Sequence, residues 1–262
     1  MIERSPRGVG FAILIATTLS LAACGGDDRG TEAGGEGKPA SAAVWPECRQ
    51  SKEIIKQCNG VDLRGKDLSK ERLNAIFMNG SQLGKDEGGR PTDLSNSLIT
   101  IVFLNDSDLS DARMVGTTIE MTEMKGADLT RADLSGASLK RVKLSGANLV
   151  EASLPKAKLT PFNEFIDADL TSADLSNSSL VWSSLISADL TDAVLEGVDL
   201  RGVELGKANL TRADLTGAKV SKFTEFGGAI WGDTICPDGS VRDRECDWEY
   251  VEQRPRKGID AG

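Results

Sequence analysis

The sequence predicts an all-β solenoid, a chain wound into a narrow tube of stacked coils. Across Ala127 to Leu159 a small residue, a polar residue and a leucine-type residue recur every five positions, as in Ala127-Asp128-Leu129. In a helix, five residues advance by about 500°, which would spread the leucines around every side. In one long strand, leucines five apart would alternate faces. A chain that turns after each unit buries them together.

The geometry of one unit explains which residues face inward. The small residue and the leucine are two positions apart, so an extended backbone points both to one side and the residue between them to the other. Repeated bends then place the small residues and leucines inside the tube, and successive coils stack about 4.8 Å apart. The period alone leaves open whether a coil has three sides or four.

The pattern resembles the pentapeptide repeat family, whose consensus is Ala-(Asp/Asn)-Leu-x-x. That resemblance implies a right-handed quadrilateral parallel β-helix with one unit on each side and four in each coil. The five-residue beat holds from Leu94 to Leu159 and from Phe165 to Val220, with one extra residue before Phe165 and another before Phe226. We therefore predict that the β-helix covers residues 61–231.

The first residues have the features of an export signal. Arg4 and Arg7 precede the apolar run Phe11 to Leu21, which is shorter than the roughly 20 residues of a membrane-spanning helix. The run ends in Leu-Ala-Ala-Cys-Gly, which resembles the lipobox of bacterial lipoproteins, with Cys24 as the lipidated residue. Residues 1–23 are then a lipoprotein signal peptide, and the protein is anchored by its lipid to the cell membrane on the extracytoplasmic side.

The charge and composition restrict the partners. The chain carries 31 Lys and Arg against 40 Asp and Glu, a net charge of −9, and removing residues 1–23 with Glu3, Arg4 and Arg7 makes it −10. Such an acidic body is not expected to bind nucleic acid or anionic lipid. Residues 24–44 comprise the lipidated cysteine and a flexible Gly-rich tether of about 25 Å r.m.s. length. The expected partners are the membrane, through the lipid, and an unidentified protein or envelope component.

Four further cysteines predict two disulfides, because an even number of cysteines in an exported protein commonly pairs in disulfide bonds. Two of the three pairings would join the ends of a long solenoid, although bonded cysteines have Cα atoms no more than about 7 Å apart. The remaining choice pairs Cys48 with Cys58 and Cys236 with Cys246. These pairs lie in a predicted N-terminal cap over residues 45–60, with a short helix from Trp45 to Cys58, and a predicted C-terminal cap over residues 232–251. Residues 252–262 are expected to be disordered.

Interruptions of the five-residue repeat mark two candidate binding features. The interval Gly84 to Pro91 has no inward apolar residue, so it should bulge as a loop that presents Glu87 and Arg90. The two one-residue skips bring Phe162 and Phe223 to the same corner, three coils apart. These rings either plug a bulged corner or form an exposed aromatic ridge for a partner.

Counting by coils reveals an outward acidic column, which is a third candidate binding feature. Its aspartates repel one another, and asparagine in the third and sixth places relieves part of that repulsion. The column comprises Asp108, Asp128, Asn148, Asp169, Asp189 and Asn209.

Nothing in the sequence indicates catalysis. There is no histidine, which excludes histidine triads and most zinc sites. No Gly-rich phosphate loop is present, and a leucine-filled core has no room for a cofactor. Four carboxylates near the C-terminus could gather Ca²⁺, but their spacing does not match an EF-hand, so we expect no metal: Asp238, Asp243, Glu245 and Asp247. We predict a protein that is not an enzyme and has no cofactor or small-molecule substrate.

Two functions fit these expectations. The first is a non-catalytic, lipid-anchored envelope protein that acts as a rigid acidic scaffold or protein-binding module. The second follows from the family resemblance: some pentapeptide repeat proteins imitate duplex DNA and bind DNA gyrase or topoisomerase IV. Those proteins are cytosolic, whereas the N-terminal residues of this chain indicate export.

Overall fold

The computed structural model describes residues 56–159 and 161–248, which form a stack of parallel strands followed by a small hairpin. Six strands form one parallel sheet in chain order, and two more form an antiparallel pair. Helix is absent from these described ranges, so none of their segments is a helix able to span a bilayer. The strands are β1 (Lys56–Gln57), β2 (Arg72–Phe77), β3 (Leu98–Phe103), β4 (Thr118–Glu120), β5 (Ser138–Lys140), β6 (Lys158–Leu159), β7 (Thr234–Ile235) and β8 (Val241–Arg242).

Parallel bridges link residues that are one coil apart, and they form four columns. Column 1 includes Asp108↔Asp128, column 2 Arg113↔Asp133, column 3 Thr118↔Ser138 and column 4 Glu123↔Lys143. The two members of each pair are separated by four five-residue units, so four units fill a coil. The bridged residue is the polar one between the small residue and the leucine, as the sequence predicts.

The coils are joined by regular backbone hydrogen bonds. Asp128 N–H donates to Ser107 O in the previous coil at 2.9 Å, and Leu129 N–H donates to Asn148 O in the next coil at 2.7 Å. A turn follows each unit, and in this one Ala132 N–H donates to Leu129 O at 2.9 Å. Every side of a coil is therefore bonded to both neighbouring coils.

Most turns place a residue in the left-handed region, because the chain must change direction by a wide angle in two residues. Non-glycine residues often hold this position, among them Arg131 at φ 57° and Ser172 at φ 57°. A side chain in this region costs energy that glycine avoids. The turns thus carry local strain that the stacked coils overcome.

Replacing Ser172 by glycine is expected to raise the free energy of unfolding by about 0.5–1 kcal/mol, since relief of left-handed strain exceeds the added entropy of the unfolded chain. The neighbouring change Thr171→Gly should lower it, because Thr171 has no positive φ to relieve. Urea unfolding of both variants measures the difference. Equal destabilisation by the two changes would contradict this account of the turns.

The core is a continuous column of leucines and small side chains. Leu129 and Leu149 are 1% exposed and Leu170 is 0% exposed, and the small residues Ala127 and Ala147 beside them are equally buried. The main prediction from the five-residue pattern is therefore confirmed, because all these side chains share one interior.

The interruptions of the beat fall where the sequence predicts. Column 1 pairs Gln82 with Asp108, a longer step than in a regular coil, because the segment between Gly84 and Pro91 leaves the coil as a loop. Column 4 pairs Lys143 with Glu164, which is one residue more than in a regular coil. The second extra residue also follows column 3, since column 4 pairs Glu204 with Glu225. Both one-residue insertions lie at the corner between columns 3 and 4, three coils apart.

The predicted N-terminal helix is wrong at its last residues. Lys56–Gln57 forms β1, which pairs with β2 through Gln57↔Phe77. Cys58 is buried and disulfide-bonded, and it stands five positions before the inward Leu63. The five-residue repeat thus begins one unit earlier than predicted. Cys48 and the rest of the expected helix lie outside the described residues, so the Cys48–Cys58 pairing stays a prediction.

The C-terminal hairpin continues the solenoid. Ile235 of β7 bridges Asp214 in column 2 and also pairs with Val241 of β8. The structure joins Cys236 to Cys246, with Cα atoms 5.6 Å apart. Beyond the last coil, Trp248 stacks on Phe226 at 4.8 Å between ring centroids. This aromatic contact lies against the end of the leucine core.

Candidate functional site

Exposed apolar side chains concentrate at the corner between columns 3 and 4. Of the eight large hydrophobic residues that are exposed in the described ranges, five lie along this corner: Ile101, Met121, Phe162, Trp182 and Phe223. Large apolar side chains exposed along one line are a common sign of an interaction surface. We call Phe162, Trp182 and Phe223 the aromatic ridge.

The ridge residues project into solvent. Phe162 is 63% exposed, Phe223 56% and Trp182 49%. The expectation that Phe162 and Phe223 plug a bulged corner is therefore wrong, because the inward positions there are taken by Phe165 and Phe226. The alternative, an exposed pair of rings, describes the corner.

The absence of a side chain at Gly202 brings two rings of the ridge together. Trp182 and Phe223 are two coils apart, about 10 Å along the stack, yet their ring centroids are 5.9 Å apart. Gly202 lies in the coil between them, and a Cβ there would come within 2.6 Å of the Trp182 ring. Trp182 therefore leans over Gly202 toward Phe223, and any larger residue at position 202 would displace it.

Asn163 anchors the corner from inside. It is fully buried in the small position of its unit. Its side-chain Nδ2 donates to Leu139 O at 3.1 Å, and its Oδ1 accepts from Val142 N–H at 2.9 Å. In other turns the corresponding backbone groups bond to each other, as in Ala152 N–H to Leu149 O. The amide of Asn163 is thus inserted into the turn of the previous coil, directly beside Phe162.

A shallow groove of about 240 Å³ lies beside the ridge. Its lining includes the rings of Phe162 and Trp182 and the column 4 residues Glu164, Ser184 and Glu204. Glu164 is half-buried and Glu204 exposed, and no ion pair of either is found in the part of the chain that the structure describes. The groove therefore combines aromatic faces with two carboxylates.

Two residues of this site, Trp182 and Asn163, are not among the sequence predictions. A signal for Trp182 is present, since it follows Phe162 by four units of five, which is one coil. A signal for Asn163 is that it alone puts an amide in the small position of a unit that follows an insertion. Neither signal has meaning until the number of units in a coil is known.

The predicted acidic column is present and outward, with a structural role of its own. Asp128 Oδ1 accepts hydrogen bonds from Thr130 N–H at 2.9 Å and from its hydroxyl at 2.5 Å, and Asp189 does the same with Thr191. Asp108 and Asp169 accept from the backbone N–H two residues on. One oxygen of each aspartate thus holds the turn.

The predicted loop is closed by its own ion pair. Asp86 accepts from the backbone N–H of Arg90 at 2.8 Å and pairs with its guanidinium at 2.9 Å, and the backbone hydrogen bond is the main reason that the pKa of Asp86 lies below its usual value. Glu87 is exposed at the tip. The Arg90 side chain is still 79% exposed, so Glu87 and Arg90 are presented together.

Asp111 joins the loop to the coils. It accepts from Arg131 Nε at 2.9 Å and from Nη2 at 3.0 Å, and Lys85 Nζ lies 3.1 Å away. The hydrogen bonds from Arg131 lower the pKa of Asp111, against the opposing effect of burial.

Replacing Asp111 by asparagine is expected to reduce the free energy of unfolding by about 0.5–1 kcal/mol at pH 7, as for a largely solvent-screened ion pair. Because the pKa is lower in the folded state than the unfolded value of about 4, this contribution is present above pH 4 and is lost as the pH falls through the folded pKa. Denaturant unfolding from pH 7 to pH 2 should show the difference shrinking below pH 4. Asp167→Asn, at an exposed aspartate that makes no ion pair in the described ranges, is the matched control.

Two of the C-terminal carboxylates considered as calcium ligands, Asp243 and Asp247, bond to other groups of the chain. Within residues 56–159 and 161–248, no group of three or more carboxylates, cysteines or histidines is placed to hold a metal ion. Asp247 pairs with Arg242 at 2.6 Å, and Asp243 accepts from Asp233 N–H at 3.0 Å. Cys24 lies outside the described residues, so its lipidation stays a prediction.

Comparison with known proteins identifies the repeats. Residues 122–160, 164–202 and 193–222 match the family model of pentapeptide repeats, with eight copies. The match is interrupted at 161–163, where the first extra residue enters the corner. No curated protein matches the chain.

Several solved structures are similar to it. HetL from the cyanobacterium Nostoc sp. strain PCC 7120, a pentapeptide repeat protein involved in the regulation of heterocyst differentiation, is 25% identical over 73% of this chain and 93% of its own, with a TM-score of 0.27. A trypsin-treated form of QnrB1, a plasmid-mediated fluoroquinolone resistance protein, is 25% identical over 64% and 83%, with a TM-score of 0.39. A pentapeptide repeat protein of the Arabidopsis thaliana thylakoid lumen is 32% identical over 45% and 71%, with a TM-score of 0.21.

The eight matched copies lie in the part of the chain where the bridges recur once in each coil. Proteins built from these repeats adopt a right-handed β-helix. Residues 122–160 and 164–222 of the chain are therefore pentapeptide repeats.

Proposed function

We propose that the protein is a non-catalytic, lipid-anchored envelope protein that acts as a rigid acidic scaffold or protein-binding module. Its partner is an unidentified protein or envelope component. The β-helix is proposed to be four-sided, in keeping with its four bridge columns, and to be closed by small disulfide-bonded caps. Pentapeptide repeat proteins are typically structural or binding modules without catalysis.

The observation that carries the binding role is the aromatic ridge, which lies on the corner where exposed apolar side chains concentrate. Inward leucines fill the interior, and those of columns 1 to 4 are almost fully buried, so a partner must bind from outside. A surface held by bonds to both neighbouring coils loses little conformational entropy when it binds. Aromatic side chains are also the residues that most often contribute strongly to protein interfaces.

The sequence around Cys24 supports the anchor and the location. Leu-Ala-Ala-Cys-Gly resembles a lipobox, and the Gly-rich segment after it is proposed to let the β-helix stand clear of the membrane. The protein would then lie on the extracytoplasmic side of the cell membrane, with an anchor that depends on lipid because its net charge is negative.

Metabolic labelling tests the anchor. Cells that produce the full chain are grown with labelled palmitate and then fractionated. We expect label on the wild type in the membrane fraction and none on Cys24→Ala, while Cys58→Ala should keep the label. Unlabelled wild-type protein in the cytosol would overturn the envelope role.

Crosslinking in intact cells tests the binding role. A photoreactive residue at position 182 should capture a partner that is released and identified by mass spectrometry. The same residue at position 196, on the exposed turn after column 2, serves as the control. Identical capture patterns at the two positions would contradict a partner at the ridge.

A second candidate function is binding of DNA gyrase or topoisomerase IV by mimicry of DNA. The outward carboxylates of column 1 favour it, since Asp108, Asp128, Asp169 and Asp189 form a line of negative charge. A supercoiling assay with purified gyrase tests it directly. Protection of gyrase from a fluoroquinolone by wild type, lost when the four aspartates become asparagine, would support this function.

A further inference from the structure

The groove beside the ridge has the chemistry of a site for a cationic side chain. Trp182 and Phe162 contribute π faces, and Glu164 and Glu204 contribute carboxylates. A cation over an aromatic face is attracted by the electrons of the ring, most strongly for tryptophan. Carboxylates at the same place add charge and hydrogen-bond acceptors.

The ridge already holds one cation of its own. Lys222 Nζ lies 5.2 Å from the centroid of the Phe223 ring. This contact lies beside the Trp182–Phe223 contact, so the same line of rings meets a cation at its C-terminal end. No such cation of the described chain lies over Phe162 or Trp182.

The carboxylates of the groove are available to a partner. Lys143, which precedes Glu164 in column 4, is ion-paired with Glu123 at 3.0 Å. The Ser184 hydroxyl lies between Glu164 and Glu204 in the column and makes no hydrogen bond within the described ranges. The two glutamates are two coils apart, about 10 Å, so consecutive cations of an extended segment can each reach one.

We propose that this groove binds arginine side chains of an extended, basic segment of a partner protein. Arginine fits better than lysine, because a planar guanidinium can stack on Trp182 and donate two parallel hydrogen bonds to a glutamate. Two arginines three positions apart match the separation of Glu164 and Glu204, since a polyproline-type segment rises about 3.1 Å per residue. The proposal rests on the protein-binding role proposed above, and it names the class of partner.

A peptide titration tests the proposal. The probe is a capped hexapeptide with two arginines separated by two prolines, added to the purified full chain in moderate salt and followed by NMR of the tryptophan indole signals. We expect the Trp182 signal to shift, with a roughly millimolar dissociation constant. The same peptide with citrulline, which keeps the shape of arginine and lacks its charge, should bind at least tenfold more weakly.

Matched variants separate the groove from general attraction to an acidic protein. Glu164→Gln with Glu204→Gln should weaken binding at least tenfold. Trp182→Ala should do the same, and because it lacks the Trp182 indole its binding is followed by the NMR signals of the peptide. Glu151→Gln with Glu196→Gln removes the same charge from other turns and should change it less than twofold. Circular dichroism of each variant shows whether the β-helix is intact.

Each contrary result has a distinct meaning. Equal weakening by the two glutamate pairs would overturn the groove as a site, and so would equal binding of the citrulline peptide. Binding of the wild type to phosphatidylcholine vesicles through Trp182, without any response to the peptide, would assign the ridge to a lipid surface instead. Crosslinking of a protein at position 182 without peptide binding would overturn the arginine site and leave the scaffold role standing. Peptide binding without any crosslinked protein would support the arginine site and count against the proposed protein-binding role.

Discussion

Replacing Asn163 by alanine is expected to lower the free energy of unfolding by about 2–4 kcal/mol, because alanine would leave a donor and an acceptor buried without partners. The side chain is fully buried and bonds both Leu139 O and Val142 N–H. Each unpaired buried group costs about 1–3 kcal/mol. Urea unfolding followed by circular dichroism measures the loss. Because Phe162 adjoins Asn163, the ridge should also lose protection in hydrogen exchange.

Ser178→Ala is the matched control for this change. Ser178 also holds a buried small position, but its hydroxyl makes no hydrogen bond in the described ranges. Removing it should leave stability within about 0.5 kcal/mol or raise it, because an unpaired buried hydroxyl is itself unfavourable. Asn163→Asp should be as damaging as Asn163→Ala, since a carboxylate cannot donate to Leu139 O. Similar stability of the Asn163 and Ser178 variants would show that the amide does not hold the corner.

Replacing Leu149 by alanine is expected to lower the free energy of unfolding by about 2–5 kcal/mol, because the change removes buried methyl groups and leaves a cavity. Leu149 is 1% exposed in the middle of the leucine column. The bonded coils around it cannot collapse to fill the space. Since coils contact mainly their neighbours, hydrogen exchange should rise most in the coils containing Leu129 and Leu170.

Two controls define the Leu149 result. Leu149→Met keeps the volume and should cost less than about 1.5 kcal/mol. Val150→Ala changes the adjacent turn residue, which is only half-buried, and should change stability by about 0.5 kcal/mol or less. A loss below about 1 kcal/mol for Leu149→Ala would contradict a tightly filled interior.

The inward leucines, the loop after Gly84 and the shared corner of the two insertions can all be predicted from the sequence. Each depends only on counting along the chain, because a five-residue period fixes which side chains face inward once the chain is known to turn. The predicted start of the solenoid is one unit too late, since Cys58 does not resemble a leucine position although it stands five positions before Leu63. Local residues could not exclude the helix expected there, because pairing with β2 determines the conformation of β1.

The candidate site can be predicted only in part. Counting by five-residue units places Phe162 and Phe223 at one corner and predicts that the polar residues of column 1 face outward. The structure agrees on both. Counting does not show that Trp182 leans over Gly202 toward Phe223, and it does not reveal the hydrogen bonds that occupy one oxygen of each column 1 aspartate. Those facts depend on side chains that meet across coils or turns, where rotamers and neighbours decide the contact.

The order of the residues is enough to establish the five-residue period, the buried leucines and the places where the period breaks, because these follow from the alternation of side chains along an extended backbone. The folded coils are needed to bring Trp182 over Gly202 toward Phe223, and to let Asn163 complete the turn of another coil. Both contacts join residues that are at least one coil apart in the chain, and such contacts exist only after the size of a coil brings those residues together.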